Sequence, residues 1–229
     1  LKVLYVEIDS SIYFNTTQVS NVDDLKTNVI SALSTYSRDV DMNRFGGRFK
    51  YSKVLQLIDR VDNAISSNIT KVRIRRDMKV LKNQFAQYEL CFGNRFHVNS
   101  NGLNIKSTGF TLTGSSDIVY FTDTPNTDLK TGVISIVKID ANGSKLVVSK
   151  NAGTVDYLKG EILLSTINIS STVAANSVIE VQAFPESNDV VGLKDLYLTL
   201  DVSKSQINMV KDVIASCLLY TSDAADDTP

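Results

Sequence analysis

The sequence predicts an α+β protein. A small mixed domain of strands with two packed helices comes first, then an antiparallel β-sandwich-like domain, then a short C-terminal helix. Three observations predict this. Before residue 80, apolar residues recur at three- and four-residue steps in two stretches, the spacing of a helix face. Between 81 and 203, short strand-like stretches alternate with turn signals, the spacing of a sandwich or barrel. The charge also divides: residues 1–80 carry 13 basic and 9 acidic groups, whereas 81–216 carry 11 and 13.

The elements follow in order. Alternation predicts two short strands at about 2–8 and 11–17. Asn21 offers a helix N-cap, with Asp23 and Asp24 in the first turn where carboxylates suit the helix dipole. Val22, Leu25, Val29, Leu33 and Tyr36 make one apolar stripe. The stretch 39–50 breaks the pattern. Ser52 then offers a cap for a second helix bearing Val54, Leu55, Ile58, Val61 and Ile65 on one face, and Ile69, Val72, Ile74 and Val80 mark a strand over 68–80. Neither helix is long enough to be stable alone, so both must pack on the sheet. Further strands are predicted at 84–92, 103–113, 117–122, 132–139, 145–149, 161–167, 177–184 and 194–202, with a helix from 205 to 216. Asn142-Gly143 is the best hairpin turn, because both residues tolerate positive φ. These elements give parts at 1–80, 81–203 and 204–216, followed by 217–229.

The two ends read as non-native. Leu1 to Val6 already patterns as strand, which predicts a fragment whose upstream part is missing. Cys217 to Asp227 resembles the translation of a transposase adapter from a sequencing library; the plainer reading is an acidic tail. The whole chain of 229 residues carries a net charge of −1; without Asp223, Asp226 and Asp227, residues 1–216 carry 24 basic against 22 acidic groups, net +2.

The composition argues against most chemistry. With one His and two Cys, a multi-ligand zinc site and a disulfide scaffold are both disfavoured. Near-neutral charge gives no chain-wide field for nucleic acid, and no apolar run spans a bilayer. Catalysis needs tunable groups held together. His97 is the only imidazole, no Gly-x-Ser-x-Gly elbow accompanies it, and neither kind of phosphate-binding glycine loop occurs. Cys91, between Leu90 and Phe92, reads as a small buried residue. The chain therefore reads as a non-enzyme with no cofactor and no metal.

Two features remain. In Lys71-Val72-Arg73-Ile74-Arg75-Arg76, alternation puts Lys71, Arg73 and Arg75 on one strand face, either a dock for an acidic partner or a solvated, charge-guarded face. In Asn43-Arg44-Phe45-Gly46-Gly47-Arg48-Phe49-Lys50-Tyr51, three aromatics and three cations surround paired glycines. Arg44, Phe45, Arg48 and Phe49 either present themselves to a partner or tuck under the helices.

The run Arg44 to Leu55, then Ile58-Asp59 and the strand Ile69 to Arg76, resembles the baseplate wedge subunit of T-even-type contractile-tailed phages, within the wider baseplate J-like family. Tyr88-Glu89-Leu90-Cys91-Phe92-Gly93-Asn94 is similar to the entry to that family's β-rich domain, and Asp189 to Asp201 to its closing strand. The resemblance spans nearly all of 1–216 and corresponds to the C-terminal part of such a subunit. It implies a structural role with no chemistry. The chain would pair with itself, as a homodimer or ring, and with neighbouring wedge subunits, building the inner baseplate ring that surrounds the hub and transmits the contraction signal. It would reside in the virion tail baseplate after assembly in the host bacterial cytoplasm, without nucleic acid, membrane insertion or a small-molecule substrate. The alternative is a carbohydrate- or receptor-binding β-domain of a tail fibre or spike, for which Tyr120, Phe121 and Tyr157 with Asp123 and Asp156 are the loose candidates.

Overall fold

In the computed structural model, which describes residues 2–212, the first strand, β1 (Val3–Phe14), is continuous where two were expected. Ser10 and Ser11 look like a break, but Ser10 Oγ and Thr70 Oγ1 lie 2.8 Å apart in the core, so this buried hydroxyl has a partner. Helix α1 (Val22–Tyr36) starts as the sequence indicates: Asn21 Oδ1 accepts from Asp23 N at 3.0 Å, and Leu25, Val29, Leu33 and Tyr36 are buried. After β2 (Arg48–Phe49) comes α2 (Tyr51–Asp59), whose cap is not Ser52. Lys50 holds the cap position without a side-chain bond, and the first amide, on Tyr51, donates to Asp189 Oδ1 at 2.7 Å. Strand β3 (Ile65–Lys79) then pairs antiparallel with β1 from Leu4 to Phe14.

The strands that follow are β4 (Phe85–Cys91), β5 (Lys106–Ser107), β6 (Phe110–Leu112), β7 (Tyr120–Pro125), β8 (Thr131–Ile139), β9 (Lys145–Asp156), β10 (Glu161–Thr172), β11 (Val178–Ala183), β12 (Val190–Val191), β13 (Tyr197–Leu200) and β14 (Gln206–Lys211). The strand expected over 103–113 is thus two short pieces. Between β8 and β9 the hairpin forms, but only Gly143 takes positive φ (+80°). Asp140 organises the turn by accepting the amides of Asn142 and Ser144 on Oδ1. The expected helix over 204–216 is corrected where it is described: Gln206–Lys211 is strand, lying parallel to residues 9–14 of β1. Ser205 Oγ accepts the Ile8 amide at 3.1 Å, so the residue expected to open the helix ties this strand to the sheet. The adapter-like stretch 217–227, with Cys217, and the last residues of the expected helix lie outside the described residues.

The architecture is mixed α+β, dominated by a twelve-stranded sheet ordered β13-β1-β3-β11-β5-β7-β8-β9-β10-β4, with β14 also on β1 and β6 on β10. The expectation of a sandwich-like second part is corrected to one large sheet that curls on itself. Leu90 of β4, Phe121 of β7, Ile134 of β8, Ile162 of β10 and Val181 of β11 line a common interior, and Arg76 on β3 donates to the Cys91 carbonyl of β4, at the far end of the sheet. Alternation reveals which residues face inward but not which strand stands next to which. Leu4, Val6, Ile8, Val72 and Ile74 face the core together with α1 and α2. Among the described residues no helix is long and apolar enough to cross a membrane.

Candidate protein-interface site

The Gly-Gly loop is held from behind by the segment 189–198. Gly46 N donates to Leu193 O at 3.0 Å, Gly192 N to Gly47 O at 2.8 Å, and Leu198 N to Arg44 O at 3.0 Å; β2 pairs with β12. Gly46 has φ +63°, which favours glycine, and a Cβ on Gly47 would lie 2.0 Å from the Met42 carbonyl oxygen, so that position requires it. Asp39 fixes the loop's entrance, accepting from Asp41 N at 2.9 Å and pairing with Lys53 at 2.6 Å; these two bonds hold its carboxyl below the usual range.

This frame sorts the four candidates. Phe49 is buried, its ring 6.3 Å from that of Tyr36, whereas Phe45 is 50% exposed and packs edge-on against Tyr197 at 5.3 Å. Arg44 and Arg48 are exposed. Arg44, Arg48, Lys50 and Lys53 rim a cleft of about 510 Å³ whose acidic side chains are Asp39 and Asp41. Arg44 reaches Asp41 at 3.8 Å, while Arg48 and Lys50 have no ion-pair partner among the described residues. The loop is therefore a rigid, cationic projection with one exposed aromatic ring.

The strand candidates are arranged differently. Register sets Asp9 opposite Lys71 and Glu7 opposite Arg73; Arg73 reaches Glu7 at 4.0 Å, whereas Lys71 forms no ion pair among the described residues. Lys71 is exposed and Arg73 half-buried. The Arg75 side chain is only 3% exposed and lies over the Tyr5 ring at 4.1 Å. Its Nε donates to Glu7 Oε1 at 2.6 Å, one terminal nitrogen donates to Asp201 Oδ2 at 2.7 Å, and the other meets Asp77, with Glu180 at 3.6 Å. Gln182 Nε2 completes the shell of Glu7 at 3.0 Å. Burial pushes the Glu7 carboxyl above its ordinary value, although the bond from Arg75 and the charge of Arg73 pull it down. Burial alone would lower Arg75, but Asp77 and Glu7 outweigh it and hold it raised. The docking reading needed a free cationic face; at Arg75 the structure places a neutralised internal cluster instead. The sequence reading missed Glu7, Asp77, Glu180 and Asp201. Asp77, two residues from Arg75 on the same strand, was open to the alternation argument, whereas Glu7 needed the β1–β3 register and Glu180 and Asp201 come from more than a hundred residues away.

Residues 2–77 match the family model described as baseplate structural protein gp6, C-terminal domain III. No curated protein matches the chain. The matched segment runs from β1 through nearly all of β3 and contains every interface candidate: Arg44, Phe45, Arg48, Phe49, Lys71, Arg73 and Arg75. The match supports a structural protein of the phage tail baseplate.

The remaining candidates fall elsewhere. His97 is exposed, and its amide donates to Phe184 O at 2.9 Å. Cys91 is half-buried rather than buried, and burial raises its thiol. Among the described residues no group of three His, Cys, Asp or Glu side chains could hold a metal. The glycan candidates are corrected, because Phe121, Asp123 and Tyr157 are core residues. The Tyr157 hydroxyl donates to Asp123 Oδ2 at 2.7 Å, and Asp123 Oδ1 accepts from Ile105 N at 2.7 Å. Burial, followed by the Asp123 bond, raises the Tyr157 phenol far above its ordinary value. Tyr157→Phe is expected to cost about 1–3 kcal/mol in urea unfolding, since it leaves one buried carboxylate oxygen without a donor.

Proposed function

We propose that the chain is a baseplate wedge subunit of a contractile phage tail. It pairs with itself and with neighbouring wedge subunits to form the inner baseplate ring, and performs no chemistry of its own. In this reading, the 1–80 part carries the ring contacts and the 81–203 part is the body behind them. It is assembled in the host cytoplasm without nucleic acid or cofactor. The observation that carries this reading is the coincidence of the family match over 2–77 with the exposed Arg44–Phe45–Arg48 projection. An aromatic ring flanked by arginines is the composition favoured at the centres of interfaces.

Sedimentation velocity of the purified chain tests it, alone and with adjacent wedge subunits. Arg44→Glu/Phe45→Ala/Arg48→Glu is expected to weaken association by about thirtyfold or more, the loss of about 2 kcal/mol typical of a hot spot, with unfolding unchanged within about 1 kcal/mol. Lys71→Glu is the separate test of the strand. A chain that stays monomeric at high concentration and binds no wedge neighbour overturns the proposal.

A further inference from the structure

β9 and β10 pair only over residues 153–156 and 161–164. Below Gly153, β9 continues with β8 alone, down to Lys145 opposite Ile139. β10 continues past Leu164 beside β4 and, from Ile169, beside β6. Register shifts along β8 between Ile134 and Val137 bend the prong, as bulges do. The sheet therefore forks. Along residues 145–152, one edge of β9 has no strand beside it among the described residues.

Two properties make this fork a receptor. The prong is apolar and uncovered: Ile139, Leu146, Val147 and Val148 are each 45–55% exposed. Adjacent strand residues point to opposite faces, so the tip of the prong is uncovered on both faces, while Ile136 and Val137 nearer its base are buried. Between the prongs lies a cleft of about 360 Å³ lined by Phe85, Leu112, Ile136, Ala152 and Ile167, with Phe85 itself exposed. An unpaired strand edge beside side-chain pockets is the geometry of strand addition: backbone bonds supply affinity and the pockets select alternate side chains.

Charge selects the occupant. Exposed Lys145 and Lys150 flank the open edge without an ion-pair partner among the described residues, whereas Lys138 is already paired with Asp117 at 2.9 Å. A second copy fits poorly. An antiparallel pair centred between Val147 and Val148 sets Lys145 against Lys150 twice, and a parallel in-register pair sets each lysine against itself; like charges directly opposite are destabilising. We propose that the fork receives an extended, acidic segment of a neighbouring protein as an added strand. Its alternate apolar side chains enter the Phe85–Ile167 cleft and its carboxylates face Lys145 and Lys150. That the neighbour is another baseplate protein rests on the assembly reading above.

The test titrates the full chain with a fluorescent peptide alternating valine and glutamate, and with its valine–lysine counterpart, while hydrogen exchange follows amides 145–152. The acidic peptide is expected to bind about tenfold tighter than the basic one and to slow exchange at 145–152. Lys145→Glu/Lys150→Glu, at exposed positions that leave the fold intact, reverses the preference. Val148→Pro, which removes a backbone donor from β9, abolishes the protection. Equal binding of both peptides, or protection elsewhere, overturns the proposal. So does self-association that protects these amides, since it seats a second copy there. Failure here leaves ring self-association by sedimentation untouched, whereas peptide capture by a chain that never associates with wedge subunits sinks the assembly reading alone.

Discussion

Arg75→Met lowers the unfolding free energy by about 3–5 kcal/mol at neutral pH, the range for breaking a buried ion pair from one side. The size follows from what remains: Glu7, with a side chain 1% exposed, beside Asp77, Glu180 and Asp201. The loss depends on pH in a definite direction. Burial raises the Glu7 carboxyl in the folded chain, so the folded state holds this proton more tightly than the unfolded one. The contribution is fully present below the ordinary carboxyl value and is lost as pH rises through the raised one. Without the guanidinium, which pulls that value down, the window moves upward. Urea titrations at pH 7 and roughly pH 4 should therefore show a smaller Arg75→Met penalty in acid, and Glu7→Gln in the same background should recover part of the neutral-pH loss. A penalty equal at both pH values would refute this account of the cluster.

Phe49→Ala is expected to cost about 3–5 kcal/mol and Phe45→Ala only about 0.5–1.5 kcal/mol. The two rings are four residues apart in the same loop, but Phe49 is in the core against Tyr36 while half of Phe45 faces solvent over Tyr197. Association should respond in the opposite order: Phe45→Ala weakens it while stability barely moves. Chemical denaturation and sedimentation on the same two variants separate the roles. Equal stability losses would mean that the loop is not anchored as described.

What the sequence made legible was local. Helix α1 could be read because its cap, Asn21, and its buried stripe lie within sixteen residues of each other. Helix α2 was misplaced at its start because its first amide is satisfied by Asp189, 138 residues away, and no local pattern encodes that. The same distance hid the candidate site. Arg75 reads as one more cation on an alternating strand until β11 and the 201 turn bring Glu180 and Asp201 beside it. The C-terminal segment was misread for a related reason. The mixed residues after Ser205 were read as a short helix, but pairing with β1 decides the outcome. The Arg44–Phe45–Arg48 projection was visible in composition, while its rigidity, which comes from 189–198, was not.

The return of the chain to its own beginning has a consequence for biogenesis. β1 is flanked by β3 on one side and by β13 and β14 on the other, with Val3 opposite Tyr197 and Asp9 opposite Gln206. Until residues 197–211 are synthesised, β1 exposes an edge that lacks its partners. Such non-local pairing is slow and leaves nascent edges open to aggregation. β1 should therefore gain protease resistance only after residues 197–211 have been made, so a chain cut before residue 197 should leave this strand open to proteolysis.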